Sequence, residues 1–211
     1  MSQRSGDWIQ TFTGRRFWPL DPRPEEVEVE DIARALSRLC RFTGHTREFY
    51  SVAQHSCLVA DFLDRKWRDK ALAFEGLIHD AAEAYLGDIS RPLKGFLYLD
   101  LPFVMRDQQI GEAEDLLLAV IRRALGATAP ELSRRALVKQ ADEVLLATEA
   151  RDLMSPLDPD WAKWLDGIEA MPDPIDPWSP NRAFTEFMDR FVALSPRPIG
   201  REAVPEFRPA L

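Results

Sequence analysis

Histidine is scarce in this chain: His45, His55 and His79 are the only three in 211 residues. Any chemistry that needs an imidazole must use one of those positions. Cysteine is scarcer still, with Cys40 and Cys57 alone, too few for a zinc centre built from thiolates. Both lie in apolar-periodic segments and are expected as buried thiols of a reducing cytosol, not as a disulfide. No run approaches the ~18 consecutive apolar residues of a membrane span. Residues 1–10 carry no apolar stretch of the signal-peptide kind, so the expectation is a cytoplasmic protein with no membrane partner. Basic residues are outnumbered 27 to 35, for a formal net charge of −8. That balance argues against a duplex nucleic acid partner, which takes a basic face. A small anionic substrate stays open, because a bound cation and a few local Arg or Lys side chains can invert the field inside one pocket.

What is present is an ordinary globular composition, 45% hydrophobic and 29% charged, enough for one domain with a sizeable core. Residues 1–26 read as an extended N-terminal arm, with Trp8, Phe12, Phe17 and Trp18 followed by a proline-rich stretch. Helical periodicity begins near residue 29, where Val29, Ile32, Leu36 and Leu39 form one apolar stripe. Further helices are expected over about 51–66, 69–86, 107–126 and 130–153, with a loop-rich connection at 87–105. Ser179-Pro180 is an N-cap followed by proline at the first helical position, and it opens a last helix ending near Val192. The expected organisation is an all-α domain over 27–194 without substantial sheet, and a loosely held tail over 195–211.

His55 and His79 fall on core-facing helical positions. Asp80 follows His79 directly inside the apolar run Gly76-Leu77-Ile78-His79-Asp80-Ala81-Ala82, where an ionised carboxylate is costly unless paired or metal-bound. Asp142 sits in a second half-buried helical stretch. Taken singly, His55 reads as a satisfied core histidine and Asp80 as a helix-surface acid. Two imidazoles and two carboxylates on three apolar helices point together to a metal site. Such a set suits a divalent ion such as Mn, Co, Ni, Fe, Zn or Mg.

His55, then His79-Asp80 after 24 residues, then Asp142, resembles the ordered signature of the HD-domain phosphohydrolase superfamily. The stretch from His79-Asp80-Ala81-Ala82-Glu83 through Gly87-Asp88 to Pro92 and Lys94 is similar to bacterial 5'-deoxynucleotidases of the YfbR type. Cys40-Arg41-Phe42-Thr43-Gly44-His45 and Phe49-Tyr50-Ser51-Val52-Ala53-Gln54-His55-Ser56 are similar to phage dATP triphosphohydrolases of the DatZ type. The resemblance covers roughly residues 10–155. It implies an HD-domain helical bundle around a metal site, and the scarcity of histidine makes that site mononuclear. It also implies a nucleotide substrate and a homo-oligomer.

By that resemblance Glu83, four residues after His79, would orient or deprotonate an attacking water. Asp88 would share that task or contact the sugar, with turn capping as its alternative. Arg41 and Phe42 stand where the deoxynucleotidases carry an Arg-Trp pair that holds phosphate and packs on the nucleoside; Phe keeps stacking but loses the indole hydrogen bond. Lys94 is a further phosphate-binding candidate. His45 is either a phosphate contact or a plain loop histidine. The implied activity is attack of a metal-bound water on the phosphorus of a deoxynucleotide. The enzyme would be a 5'-monophosphatase or a dNTP triphosphohydrolase; a non-catalytic nucleotide sensor is the alternative.

Overall fold

Local signals set several helix ends in the computed structural model, which describes residues 4, 6–99 and 108–197. The chain begins with a two-stranded ladder, β1 (Ile9–Gln10) antiparallel to β2 (Arg16–Phe17). Helices α1 (Val29–Leu36), α2 (Val52–Trp67) and α3 (Lys70–Ile78) follow, then the single turns α4 (Glu83–Leu86) and α5 (Arg91–Lys94). A second short ladder joins β3 (Tyr98–Leu99) to β4 (Gln108–Gln109). The remaining helices are α6 (Ile110–Leu125), α7 (Leu132–Leu153), the short α8 (Pro159–Ala162) and α9 (Pro180–Leu194). The protein is mostly helical, and among the described residues its strands are two-residue pairs. Also among them, no helix is long and apolar enough to cross a membrane.

Side chains of favoured capping types open α2, α3 and α9. Ser51 accepts from the Gln54 amide at 3.2 Å, Asp69 from Leu72 at 3.0 Å and Ser179 from Arg182 at 3.3 Å. Gly126 adopts φ +78° and closes α6, a left-handed stop that glycine takes without a Cβ penalty. The last helix ends at Leu194; beyond Arg197 the expected tail lies outside the described residues.

Helix α2 is the centre of the molecule, packed on α3, α7 and α9, with α1 resting on α4 and α9. Ile32, Leu36, Phe74, Leu77, Phe184, Phe187 and Phe191 form the main core, and Val59, Leu63, Leu72 and Leu145 a second cluster. Phe17, from the N-terminal arm, is fully buried in the main core and stacks on Tyr85 with ring centroids 3.7 Å apart.

The helix expected over 69–86 is interrupted. It stops at Ile78, makes a turn over residues 79–82 and restarts at Glu83. Bonds of the tighter i to i+3 kind, Ala81 N–H to Ile78 C=O at 2.9 Å and Glu83 N–H to Asp80 C=O at 3.0 Å, wind the chain through the break. The His79 ring also donates to the Gly76 carbonyl at 2.7 Å, fixing its side chain against the last turn of α3. Uniform apolar content over this stretch hides the break from periodicity.

Candidate metal centre

The middle of α2, the turn after α3 and the middle of α7 each deliver ligand-type side chains to one place. From α2, His55 directs Nε2 to within 3.4 Å of His79 Nε2, 3.4 Å of Asp142 Oδ1 and 3.7 Å of Asp80 Oδ2. His79 Nε2 lies 3.2 Å from Asp80 Oδ2. Donors bound ~2.1 Å from a single ion sit ~3.0–3.4 Å from one another; three of these four separations fall in that range and the His55–Asp80 pair, at 3.7 Å, lies just beyond it. His55, His79 and Asp80 form a group that could hold a metal ion, and Asp142 borders it.

Each imidazole has its other nitrogen held. His79 Nδ1 faces the Gly76 carbonyl, and His55 Nδ1 lies 2.6 Å from Glu149 Oε1. A ligand histidine is held this way, with one nitrogen donating to an oxygen so that the other is presented to the ion. The charges respond to the crowding. Burial and Arg41 work against a charged His55, yet Glu149 and Asp142 overcome them and raise its pKa to about 9. Burial alone would raise Asp142, but His55, His79 and Arg41 hold its carboxyl far below the ordinary range.

Glu149 was missed by the sequence reading. It is fully buried and also accepts from Tyr50 Oη at 2.9 Å and from the Arg41 guanidinium at 3.0 and 3.2 Å. Burial would raise its carboxyl, but Arg41 and His55 lower it below the usual range. A signal for it did exist. Asp142, Leu145 and Glu149 are spaced i, i+3, i+7 and share one face of α7.

The remaining candidates divide. Arg41 points a third nitrogen to 3.6 Å from Asp80 and lies 5.3 Å from the Phe42 ring centroid, so both stand at the cluster's edge. Phe42 and Thr43 each take φ +54°, a left-handed turn that bulky and β-branched residues seldom adopt. Glu83 is 7% exposed, and burial, then Asp80 and Asp88, push its carboxyl to about 10 against the pull of Lys94 and Arg41. Asp88 is raised by burial and by Asp80, while Arg41, Lys94 and His55 act against the rise, so it belongs to the same field. Lys94 was expected as a phosphate contact. It is instead engaged by carboxylates, at 2.9 Å from Glu114 of α6 and 3.7 Å from Glu83. His45 does not join the cluster; it is exposed and lines a groove of about 540 Å³ with Arg47, Pro156, Leu157 and Trp161.

No family model matches the chain. It is similar to "Uncharacterized protein YfdR" of Escherichia coli K12, 40% identical over 191 residues that cover 89% of this chain and 96% of the relative. It is also similar to "Uncharacterized protein RCAP_rcc00048" of Rhodobacter capsulatus, 34% identical over 179 residues that cover 80% of this chain and 82% of the relative.

Proposed function

This chain belongs to the family of YfdR and RCAP_rcc00048, and from its candidate metal centre we propose that it is an HD-domain nucleotide phosphohydrolase acting on deoxynucleotides. The observation that carries the proposal is the convergence of two Nε2 atoms, each with its Nδ1 already held, on the carboxylates of Asp80 and Asp142. His55, His79, Asp80 and Asp142 would hold one divalent ion (Mn, Co, Ni, Fe, Zn or Mg). Bound there, the ion would polarise a phosphoryl oxygen, acidify a water from ~15.7 toward ~7 and draw nearby carboxyls toward ionisation.

The chain's own groups supply the rest. Arg41 keeps a permanent charge, because Glu149, Asp80 and Asp142 outweigh its burial and raise its pKa. With two nitrogens committed to Glu149, its third is left to meet a phosphate oxygen. Phe42, beside it, offers a ring face to the nucleoside. Glu83 would move a proton at the attacking water, and Asp88 would assist it or bind the sugar. Lys94 orients Glu83 rather than gripping the substrate, because Glu114 and Glu83 already engage its ammonium. The exposed Phe96, Tyr98 and Trp164 side chains favour a homo-oligomer, which light scattering would read directly.

The test is to incubate protein loaded with Mn, Co, Zn or Mg with dAMP and with dATP, and to separate released phosphate from released triphosphate. Phosphate from dAMP identifies a monophosphatase, and triphosphate from dATP a triphosphohydrolase. Turnover of no nucleotide with any of these metals would sink the enzyme reading in favour of a nucleotide-binding sensor.

A further inference from the structure

Glu149 stands apart from the residues that would touch metal or substrate, yet it holds two of them. Its side chain is fully buried, a placement a carboxylate tolerates only when its lone pairs are taken. Oε1 receives the His55 Nδ1–H and the Tyr50 hydroxyl, and Oε2 receives two N–H groups of Arg41. The two halves of the carboxylate therefore serve different parts of the site. Oε1 fixes the His55 ring plane and keeps the proton on Nδ1, which leaves Nε2 facing His79, Asp80 and Asp142. Oε2 fixes the guanidinium plane, which turns the remaining nitrogen toward Asp80 and the space beside it.

We propose that Glu149 is a positioning residue that sets a metal ligand and the phosphate-binding arginine with one buried carboxylate, so that ion and oxyanion meet in a fixed relative geometry. The inference rests on the metal-centre reading above. A carboxylate behind a ligand histidine raises its basicity and fixes its tautomer. A carboxylate behind an arginine pre-orders a side chain that would otherwise lose rotamer freedom on binding. Glutamine keeps the shape of Glu149, but it has one acceptor oxygen and no charge, so it cannot serve both partners. Aspartate keeps the charge but is one methylene shorter.

The experiment titrates Mn2+ into metal-free wild type, Glu149→Gln and Leu36→Ala, followed by calorimetry. It then titrates inorganic phosphate into each protein saturated with metal. Leu36 is a buried core residue that makes no polar contact with the candidate centre, and it controls for simple loss of stability. The expected result is a loss of about tenfold to hundredfold in metal affinity for Glu149→Gln, with weaker phosphate binding at saturating metal. Leu36→Ala should melt earlier yet keep wild-type affinities. Unchanged metal and phosphate affinity in Glu149→Gln would overturn the proposal, as would equal losses in Leu36→Ala. Should Glu149→Gln not fold, the same titrations on Glu149→Asp decide, because aspartate keeps the charge but is too short to reach both partners. Weaker metal and phosphate binding in that variant supports the proposal, and wild-type affinities for both overturn it. Wild type that binds none of the divalent ions would bring down the metal-centre reading itself, and this inference with it.

Discussion

Replacing Glu83 with glutamine should make the metal-free protein more stable while lowering the proposed nucleotide turnover of the metal-loaded one. The Glu83 carboxyl is 7% exposed, and among the described residues its Oε2 has no hydrogen-bond partner. Burial, reinforced by Asp80 and Asp88, raises its pKa to about 10, against ~4.3 for an unfolded glutamate. Between those two values the folded chain carries a proton that the unfolded chain has released, so stability falls as pH rises through the window. At about pH 7.5 the window has been crossed for ~3 units, an upper bound of ~4 kcal/mol at ~1.36 kcal/mol per unit. Water reaching the carboxyl reduces this to ~1–3 kcal/mol. Glutamine has almost the same shape and nothing to ionise, so Glu83→Gln should recover that amount. Unfolding entropy of ~2.1 cal/mol/K per residue gives ~0.44 kcal/mol/K for a chain this long, so Tm should rise by ~2–7 °C. Near pH 5 the gain should almost vanish. Nucleotide turnover should fall by ~10²- to 10⁴-fold, the usual cost of losing a proton-transfer group. Thermal melts of metal-free wild type and variant at both pH values, with turnover assays on the loaded proteins, read every part. A variant less stable than wild type near pH 7.5, or equally stabilised near pH 5, would refute the protonated carboxyl. Retained turnover would remove Glu83 from the reaction.

Three further outcomes are expected. Arg41→Ala removes the guanidinium paired with the fully buried Glu149 carboxylate and leaves Oε2 without a partner, so urea unfolding should show a loss of ~3–5 kcal/mol; a loss near zero would show that the pair is hydrated. Phe17→Ala removes a fully buried ring stacked on Tyr85 and should cost ~3–5 kcal/mol, a Tm drop of ~7–11 °C; a drop of a degree or less would show that the N-terminal arm is not part of the folded unit. Asp142 and Glu149 both have folded pKa values below their unfolded ones. The stability they contribute is therefore fully present above ~4.3, the ordinary carboxylate range, and is lost as pH falls through their depressed values. Metal-free protein should melt progressively earlier in acid, and a flat profile from pH 6 down to 2 would contradict the pairing.

Several features were legible from local sequence because their causes are local. The Val29, Ile32, Leu36 stripe places one face of α1 in the core, and serine or aspartate hydroxyl and carboxylate groups cap α2, α3 and α9 where their residue types predict. Gly126 ends α6 because glycine adopts the left-handed φ there without a Cβ penalty. The rarity of histidine and the place of Asp80 in an apolar run, joined to the resemblance carried by the ordered set His55, His79-Asp80 and Asp142, singled out residues that come together at the candidate metal centre. The break after Ile78 was not legible, because a turn and a helix can share the same apolar content; the His79 to Gly76 bond and the packing of α4 on α1 decide it. Nor was the division of labour among the charged residues. Arg41 and Glu149 are 108 positions apart, and His55 and Glu149 are 94 apart. The spacing with Asp142 and Leu145 marks Glu149 as sharing their face of α7, but no local pattern tells which cation will meet it. Only the folded chain decides that Lys94 goes to Glu114 and Glu83 while Arg41 goes to Glu149, since a buried charge takes whichever partner the packing of distant helices brings within reach.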